Sequence, residues 1–281
     1  MTADLRVNLT VNPGTSFRLI LDEPGDGRLN MAVDEALMES VGNGEAPATV
    51  RLYGFAPPTL SFGRFQRIRD KIQWQAVREQ GITLVRRPTG GQAVLHDQEL
   101  TYSVILHKHH LQPFQKREIY RFIAELLLEG LVRLGVQGRS NRKQSGDLHN
   151  PDCFRSTGEY EIASCSAKKL IGSAQLVNRS SSLQHGAIPL DMSYTRIDRY
   201  LDLTPARNPD EQLDEPSCLS AELGKPVSFA QAVKAFAEGF DRALRDRGAK
   251  LESGTLSEQE HRRTRGLLEQ KYSGDEWNLQ Y

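Results

Sequence analysis

A surplus of charge is missing from this sequence. Its 281 residues hold 36 lysines and arginines against 36 aspartates and glutamates, a formal net charge of zero. Chains that bind nucleic acid ordinarily carry a basic excess that displaces counterions from phosphates, so no nucleic-acid partner is expected. A local basic patch for an acidic protein remains open. Cysteine is scarce. Three residues, an odd number, make no disulfide framework, and they point to a reducing, cytoplasmic setting where a thiol stays free for chemistry. No run of about 18 apolar residues is present, so no membrane span is expected. Met1 to Pro13 is polar and mixed and lacks the apolar core of a signal peptide. Internal repeats, low-complexity tracts and metal-ligand spacings of histidine with cysteine are absent too, so no metal is expected.

What is present suits a folded enzyme-sized body. Hydrophobic residues make up 38% and charged residues 26% of the chain, as in a soluble globular protein, and 281 residues are enough for one large domain or a domain with a small appendage. Phe17 to Leu21 reads as a strand. Asn30 can cap a helix to about Val41, with Leu29, Val33, Ala36, Leu37 and Val41 on one stripe. Strands are expected at Val50–Tyr53 and Thr59–Phe62, and a helix from about Asp70 to Glu79 ending near Gly81. Thr101 to Leu106 is rich in residues that favour strands. Lys116 to about Leu134 repeats Ile119, Phe122, Ile123, Leu126 and Leu127 at helical spacing before Gly135. Residues 138–152 are polar and read as a loop, with Arg139, Arg142 and Lys143 as candidate contacts to an acidic protein. Strands follow at Glu159–Ala163, Lys169–Ile171, Ala174–Val177 and Leu183–Ile188, and helices after Asp191. Ser228 caps one helix, and Ser257 with Glu260 forms a capping box for the last. Two blocks of strands with helices between them predict an α+β fold of mixed and antiparallel sheets flanked by helices. Residues 1–15 are expected as a tail, 16–250 as the catalytic domain and 251–281 as a helical extension packed on it.

The densest pattern runs from Val85 to Ser103. Ile82–Arg86 and Gln92–His96 are strand-like, and Pro88-Thr89-Gly90-Gly91 between them reads as a tight hairpin turn. Arg86, Arg87, His96 and Asp97 surround it. Glycines also let a backbone approach a ligand closely. Arg-Arg-Pro-Thr-Gly-Gly followed by His-Asp and Tyr-Ser resembles the signature of the lipoate/biotin protein ligase superfamily. Gly-Gln-Ala-Val-Leu-His-Asp-Gln-Glu-Leu-Thr-Tyr-Ser is most similar to its LipM-type octanoyltransferase branch. Asn30 to Leu37, Thr59 to Gly63, Lys169 to Gln175, Gln184-His185-Gly186 and a closing Lys271-Tyr272 with Asp275 to Asn278 match in order. The resemblance covers roughly Phe17 to the C-terminus. It implies a biotin/lipoate protein ligase-like catalytic domain that moves an octanoyl group from octanoyl-acyl carrier protein to a lysine of a lipoyl domain, such as glycine cleavage H protein or an E2 subunit.

Acyl transfer needs a nucleophile, an activating group and donors for the oxyanion. Any one free cysteine is more often an inert buried hydrophobe, and Cys165 and Cys218 fit that role. Cys153 stands at the end of a polar loop, outside any apolar stripe. The resemblance implies that Cys153, in a Cys-Phe pair before Tyr160-Glu161, carries the acyl thioester. It also singles out Lys169 in Lys-x-x-Gly-Ser-Ala. A lone lysine is ordinarily a solvated surface group. Here its ammonium could lower a thiol pKa and hold the acyl carbonyl oxygen. Arg86, Gly90, Gly91, Gly172, Ser173 and Ala174 are the implied walls of the acyl pocket, with Tyr53 and Ser61 nearby. His96 and His185 are candidates to line it, with no proton-transfer role assigned. About 0.8 kcal/mol per buried methylene gives an eight-carbon chain useful affinity.

The related ligases activate a free acid with ATP and Mg2+. Their glycine run is typically Gly-Gly-Gly, whereas Gln92 stands third here, and a cysteine would have no covalent part in that chemistry. The transferase is therefore the preferred reading, with no cofactor. An ATP-dependent lipoate ligase, an amidotransferase between two lipoyl domains, and a non-catalytic binder of lipoyl domains are the alternatives. A monomer is expected, because the acceptor must dock as a whole domain.

Overall fold

A computed structural model describes residues 10–140, 145–146, 156–157, 161–202 and 216–280. The first half of the chain contains strands β1 (Thr10–Val11), β2 (Ser16–Leu21), β3 (Ala48–Tyr53), β4 (Thr59–Phe62), β5 (Thr83–Arg86), β6 (Val94–His96), β7 (Glu99–His107) and β8 (Leu111–Gln112). Among them lie helices α1 (Gly27–Gly42) and α2 (Trp74–Glu79), and α3 (Lys116–Leu134) follows. Next come β9 (Gly138–Ser140), β10 (Ser145–Gly146), β11 (Ser156–Thr157), β12 (Ile162–Ser164), β13 (Lys169–Val177) and β14 (Ser181–Pro189). Helices α4 (Leu219–Leu223) and α5 (Phe229–Arg245), strand β15 (Lys250–Ser253), and helices α6 (Glu258–Leu267) and α7 (Asp275–Asn278) complete the chain.

Eight strands form the main sheet in the order β15-β2-β3-β7-β14-β13-β12-β9, parallel only across β15-β2-β3. Its two faces differ in chemistry. On β7, Leu100, Tyr102, Val104 and Leu106 point into the larger core with Ile119, Phe122, Ile123 and Leu126 of α3 and Phe236 and Phe240 of α5. The alternate residues Glu99, Thr101 and Ser103 point the other way and are also buried, as side chains in a strand must alternate. That second face is covered by α1, whose Val33, Leu37, Met38 and Val41 pack on Ile105 and Leu183. It is also covered by a three-stranded sheet, β5-β4-β6. A strand face that is polar yet buried marks the site.

The α+β class holds, and so does α3 with its left-handed Gly135 cap. Both capping boxes are present, Ser228 with Gln231 and Ser257 with Glu260. Several local expectations are corrected. Asp26, not Asn30, caps α1; Asn30 is buried one turn in and donates to the Gly54 carbonyl. Leu29 leaves the stripe and is exposed. The helix expected over 70–79 splits into a 3-10 turn at Arg69–Lys71 and α2, because Ile72 is extended. Lys169–Ile171 and Ala174–Val177 are one strand. The helical character expected after Asp191 is present, beginning with a 3-10 turn, Ser193–Arg199.

The hairpin is the largest correction. β5 and β6 do not pair with each other; β4 lies between them, parallel to β5 and antiparallel to β6. The Pro88–Gly91 segment therefore crosses over the end of β4. It crosses at Gly63, where any side chain would overlap the Gly91 carbonyl, and Gly91 itself takes φ +96°, open to glycine at little cost. β4 is the ladder partner of both flanking strands.

At the ends, Thr10–Val11 pairs with β8, so the expected tail is tied down by residue 10. Lys250–Ser253 joins the edge of the main sheet beside β2. Helix α6 then packs on α1 and is held by Arg18 of β2, which donates to both oxygens of Glu260.

Candidate active site

Between the polar face of the main sheet and the three-stranded sheet lies a narrow cleft. Its rim is Ser173, Ala174 and Gly186, which are half-buried. Its depth is walled by Met31 of α1, Tyr53 of β3, Thr101 of β7 and Ala187 of β14, all buried. Val94 and His96 of β6, with Phe55, close the far side. Small residues at the rim and apolar side chains at depth suit a thin aliphatic chain.

Asp34 organises the wall behind the cleft. It sits in the apolar stripe Met31-Asp34-Met38-Val41 and is fully buried. Oδ1 accepts from Arg51 Nη1 at 3.0 Å and Ser103 Oγ at 3.1 Å; Oδ2 accepts from Tyr53 Oη and His185 Nδ1, each at 2.9 Å. Burial raises its pKa, but the His185 hydrogen bond and the Arg51 charge outweigh that, so it lies below the usual carboxylate range. Burial pushes Tyr53 well up, with the Asp34 charge adding to it, so the phenol keeps its proton and donates. His185 is lowered, chiefly by burial, against the pull of Asp34. A carboxylate only accepts, so Nδ1 of the neutral ring carries its proton and Nε2 accepts from Thr89 Oγ1 at 2.8 Å. Helix α1, three strands and the crossing segment are thereby joined through one ring that lines the cleft.

A pH dependence follows. With its folded pKa depressed below the ordinary 6.5, His185 takes up its proton less readily than the unfolded chain does. Its contribution to stability is therefore full above about 6.5 and is lost as pH falls from there toward the folded pKa. His110, pushed down to about 4 by burial and by His107, acts with the same sign. The Asp34 contribution begins to fade only near and below its ordinary value of 3.8. His185→Gln should remove up to about 1.4 kcal/mol per pH unit from the slope of unfolding free energy over the range just below pH 6.5. Urea titrations across that range read it directly, and an unchanged slope in the variant excludes a neutral His185.

A second chain of hydrogen bonds runs through His96. Arg87 Nη1 donates to Ser61 Oγ at 2.6 Å, Ser61 Oγ meets His96 Nε2 at 2.6 Å, and His96 Nδ1 meets Glu99 Oε1 at 2.7 Å. Phe55 stacks on the imidazole, ring centroids 4.0 Å apart. Ser61 Oγ thus bridges the Arg87 guanidinium and the His96 ring. The ring is locked in place with one face toward the cleft.

Of the residues expected from the sequence, Gly172, Ser173, Ala174, His96 and His185 line the cleft. Lys169 opens β13, is buried, and pairs with Glu161 at 2.9 Å. Cys153 lies outside the described residues, as do Tyr160, Arg142 and Lys143. Arg86 is misplaced by the sequence reading. It is wholly buried away from the cleft, where it donates to the carbonyls of Gly63, Gln66, Trp277 and Gln280 at 2.7–3.1 Å. Its neighbour Arg87 takes the cleft position, since alternation sends the two to opposite sides. Gly90 and Gly91 belong to the crossing segment rather than the wall; a Cβ on Gly91 would stand 3.7 Å from Ala174. Arg139 is in edge strand β9 rather than a loop. Cys218 is buried and caps α4, but Cys165 is exposed. The sequence reading missed Asp34, Arg51, Thr89, Glu99 and Ser103. For Asp34, Arg51, Glu99 and Ser103 the signal was a polar residue inside an apolar helix or strand segment; Thr89, in the crossing segment, carried no such signal.

Comparison with known proteins agrees with this geometry. The family model for the lipoyl protein ligase A/B catalytic domain matches residues 26–241. Three proteins named octanoyltransferase LipM are similar over 94% of this chain and 98% of their own length. They come from Kyrpidia tusciae at 40% identity, Symbiobacterium thermophilum at 39% and Bacillus subtilis at 38%. A solved lipoate-protein ligase A bound with ATP has a TM-score of 0.76 at 25% identity, covering 94% of this chain and 98% of that one. A bipartite lipoate protein ligase from Thermoplasma acidophilum shares the fold, with a TM-score of 0.76 at 24% identity over 94% of this chain and 96% of its own. No helix among the described residues is long and apolar enough to cross a membrane. The chain belongs to the lipoyl protein ligase A/B catalytic-domain family, and it is an acyltransferase.

Proposed function

We propose that this chain transfers an octanoyl group from octanoyl-acyl carrier protein, by way of a thioester on Cys153, to a lysine of a lipoyl-domain protein. The narrow cleft with Ser173, Ala174 and Gly186 at its rim carries this reading, supported by relatives that bear the octanoyltransferase name. The Cys153 thiolate attacks the donor thioester, and the carrier-protein thiol leaves. The acceptor lysine, as free amine, then attacks the enzyme thioester and returns the cysteine as a thiol. Lys169 stabilises the oxyanion in both halves. The alkyl chain lies in the cleft, gaining about 0.8 kcal/mol per buried methylene. No cofactor takes part, the working form is a monomer, and the reducing cytoplasm keeps Cys153 available.

The likeness to a ligase bound with ATP supports a second reading, in which a free acid is activated as its adenylate. One experiment separates the two. Mixing the full chain with octanoyl-carrier protein, without ATP, should give a covalent octanoyl adduct by mass spectrometry, and Cys153→Ala should give none. Equal adduct on both removes the cysteine from the reaction. Transfer that needs ATP and survives Cys153→Ala selects the ligase.

A further inference from the structure

Lys169 and Glu161 face each other because of an irregularity in the sheet. β12 and β13 pair Ile162 with Ile171, but the next residue, Ala163, pairs with Lys169. Leu170 is the extra residue of a bulge, and bulges re-aim side chains. In an unbroken ladder Lys169 would share the face of Ile171, two residues on, which belongs to the larger apolar core. The bulge turns Leu170 and Ile171 both into that core and sends Lys169 to the face of Ala163 and Glu161. There Lys169 is 1% exposed and Glu161 5% exposed. Glu161 Oε2 lies 2.9 Å from Lys169 Nζ, while Oε1 accepts from the backbone N–H of Ser173 at 3.2 Å. Ser173 is on the rim of the cleft. Its hydroxyl meets Tyr102 Oη at 2.7 Å, and its carbonyl accepts from Tyr120 Oη at 3.1 Å.

We infer that Glu161 is a positioning residue for acyl transfer: one carboxylate fixes the Lys169 ammonium and the cleft rim in a single geometry. An ammonium taken out of water is costly unless an opposite charge and hydrogen bonds replace the lost solvent. Glu161 supplies that charge, and its second oxygen leaves it little freedom to turn away. The bulge is the backbone device that makes the pair. This inference rests on the proposal that Lys169 stabilises the oxyanion.

The test measures octanoyl transfer from carrier protein to a lipoyl domain by the full chain carrying Glu161→Gln, Lys169→Gln or both. Glu161→Gln should lower kcat about 10- to 100-fold with KM nearly unchanged. That is less than the roughly 10²- to 10³-fold of losing an oxyanion donor outright, which is expected for Lys169→Gln. The double variant should fall no further than Lys169→Gln alone, because Glu161 acts through the lysine. A Glu161→Gln enzyme with wild-type kcat, or losses that multiply in the double variant, overturns the inference. A fully active Lys169→Gln enzyme defeats the oxyanion role itself and takes this inference with it, a result distinct from either. Should Glu161→Gln not fold, Glu161→Asp carries the same comparison, since it keeps the charge but withdraws it by one methylene.

Discussion

Asp34→Ala is expected to cost about 3–5 kcal/mol of folding stability, the usual penalty for removing one partner of a buried, hydrogen-bonded charge pair. The carboxylate answers four donors at once. Arg51 keeps a second carboxylate, Asp22, at 2.6 Å, so its charge is not abandoned, but Nη1 loses its charged acceptor. Tyr53, Ser103 and His185 are buried, and water does not replace what they lose. Asp34→Asn should also destabilise, by less, because its NH2 group must face either Arg51 and Ser103 or Tyr53 and His185, all of them donors. Urea unfolding measures both as a shift of midpoint at constant slope. A cost under about 1 kcal/mol for Asp34→Ala would show that the four hydrogen bonds are incidental. Activity should fall along with stability, because the His185 ring and Thr89 would lose their fixed orientation beside the cleft.

Arg86→Met should cost a similar amount, about 3–5 kcal/mol, and should act at a distance in sequence. The guanidinium collects carbonyls from two segments, Gly63 and Gln66 after β4, and Trp277 and Gln280 at the C-terminus. Its own backbone strengthens the clasp, with the N–H donating to Asn278 Oδ1 at 3.0 Å and the carbonyl accepting from Trp277 Nε1 at 2.9 Å. Methionine fills much of the volume and satisfies none of those carbonyls. The C-terminal segment should then detach more readily, read as faster proteolysis after residue 267 and a red-shifted Trp277 emission. Arg86→Lys should rescue little, since a single ammonium does not span a forked set of acceptors. Unchanged proteolysis in Arg86→Met would assign the clasp to Asn278 and to Lys271 and Tyr272, both of which bond Glu35 of α1.

Much of the fold was legible wherever local physics acts alone. The α3 stripe and its Gly135 stop, and the capping boxes at Ser228 and Ser257, depend on neighbours three or four residues away, and they were read correctly. Errors came where a distant partner decides. Asp26 displaced Asn30 as a cap because Asn30 is spent on Gly54, a residue from the other side of β3. The apparent hairpin failed because β4, earlier in the chain, claims the space between β5 and β6. Arg86 and Arg87 are adjacent and alike in composition; only the pleat of β5 and what lies on each side separate a C-terminal clasp from a cleft wall.

Residue order by itself determined the fold class and the main helices, because periodicity and caps are set within a turn or a strand; the glycine, histidine and lysine motifs pointed to acyl transfer through the family resemblance they carry. Only the tertiary structure decided which polar residues meet. Asp34, Arg51, Ser103 and His185 lie on four separate elements and become one network when α1 is laid on the sheet. Glu161 and Lys169 meet because a single extra residue, Leu170, shifts the register, and register is a property of paired strands that neither strand carries alone.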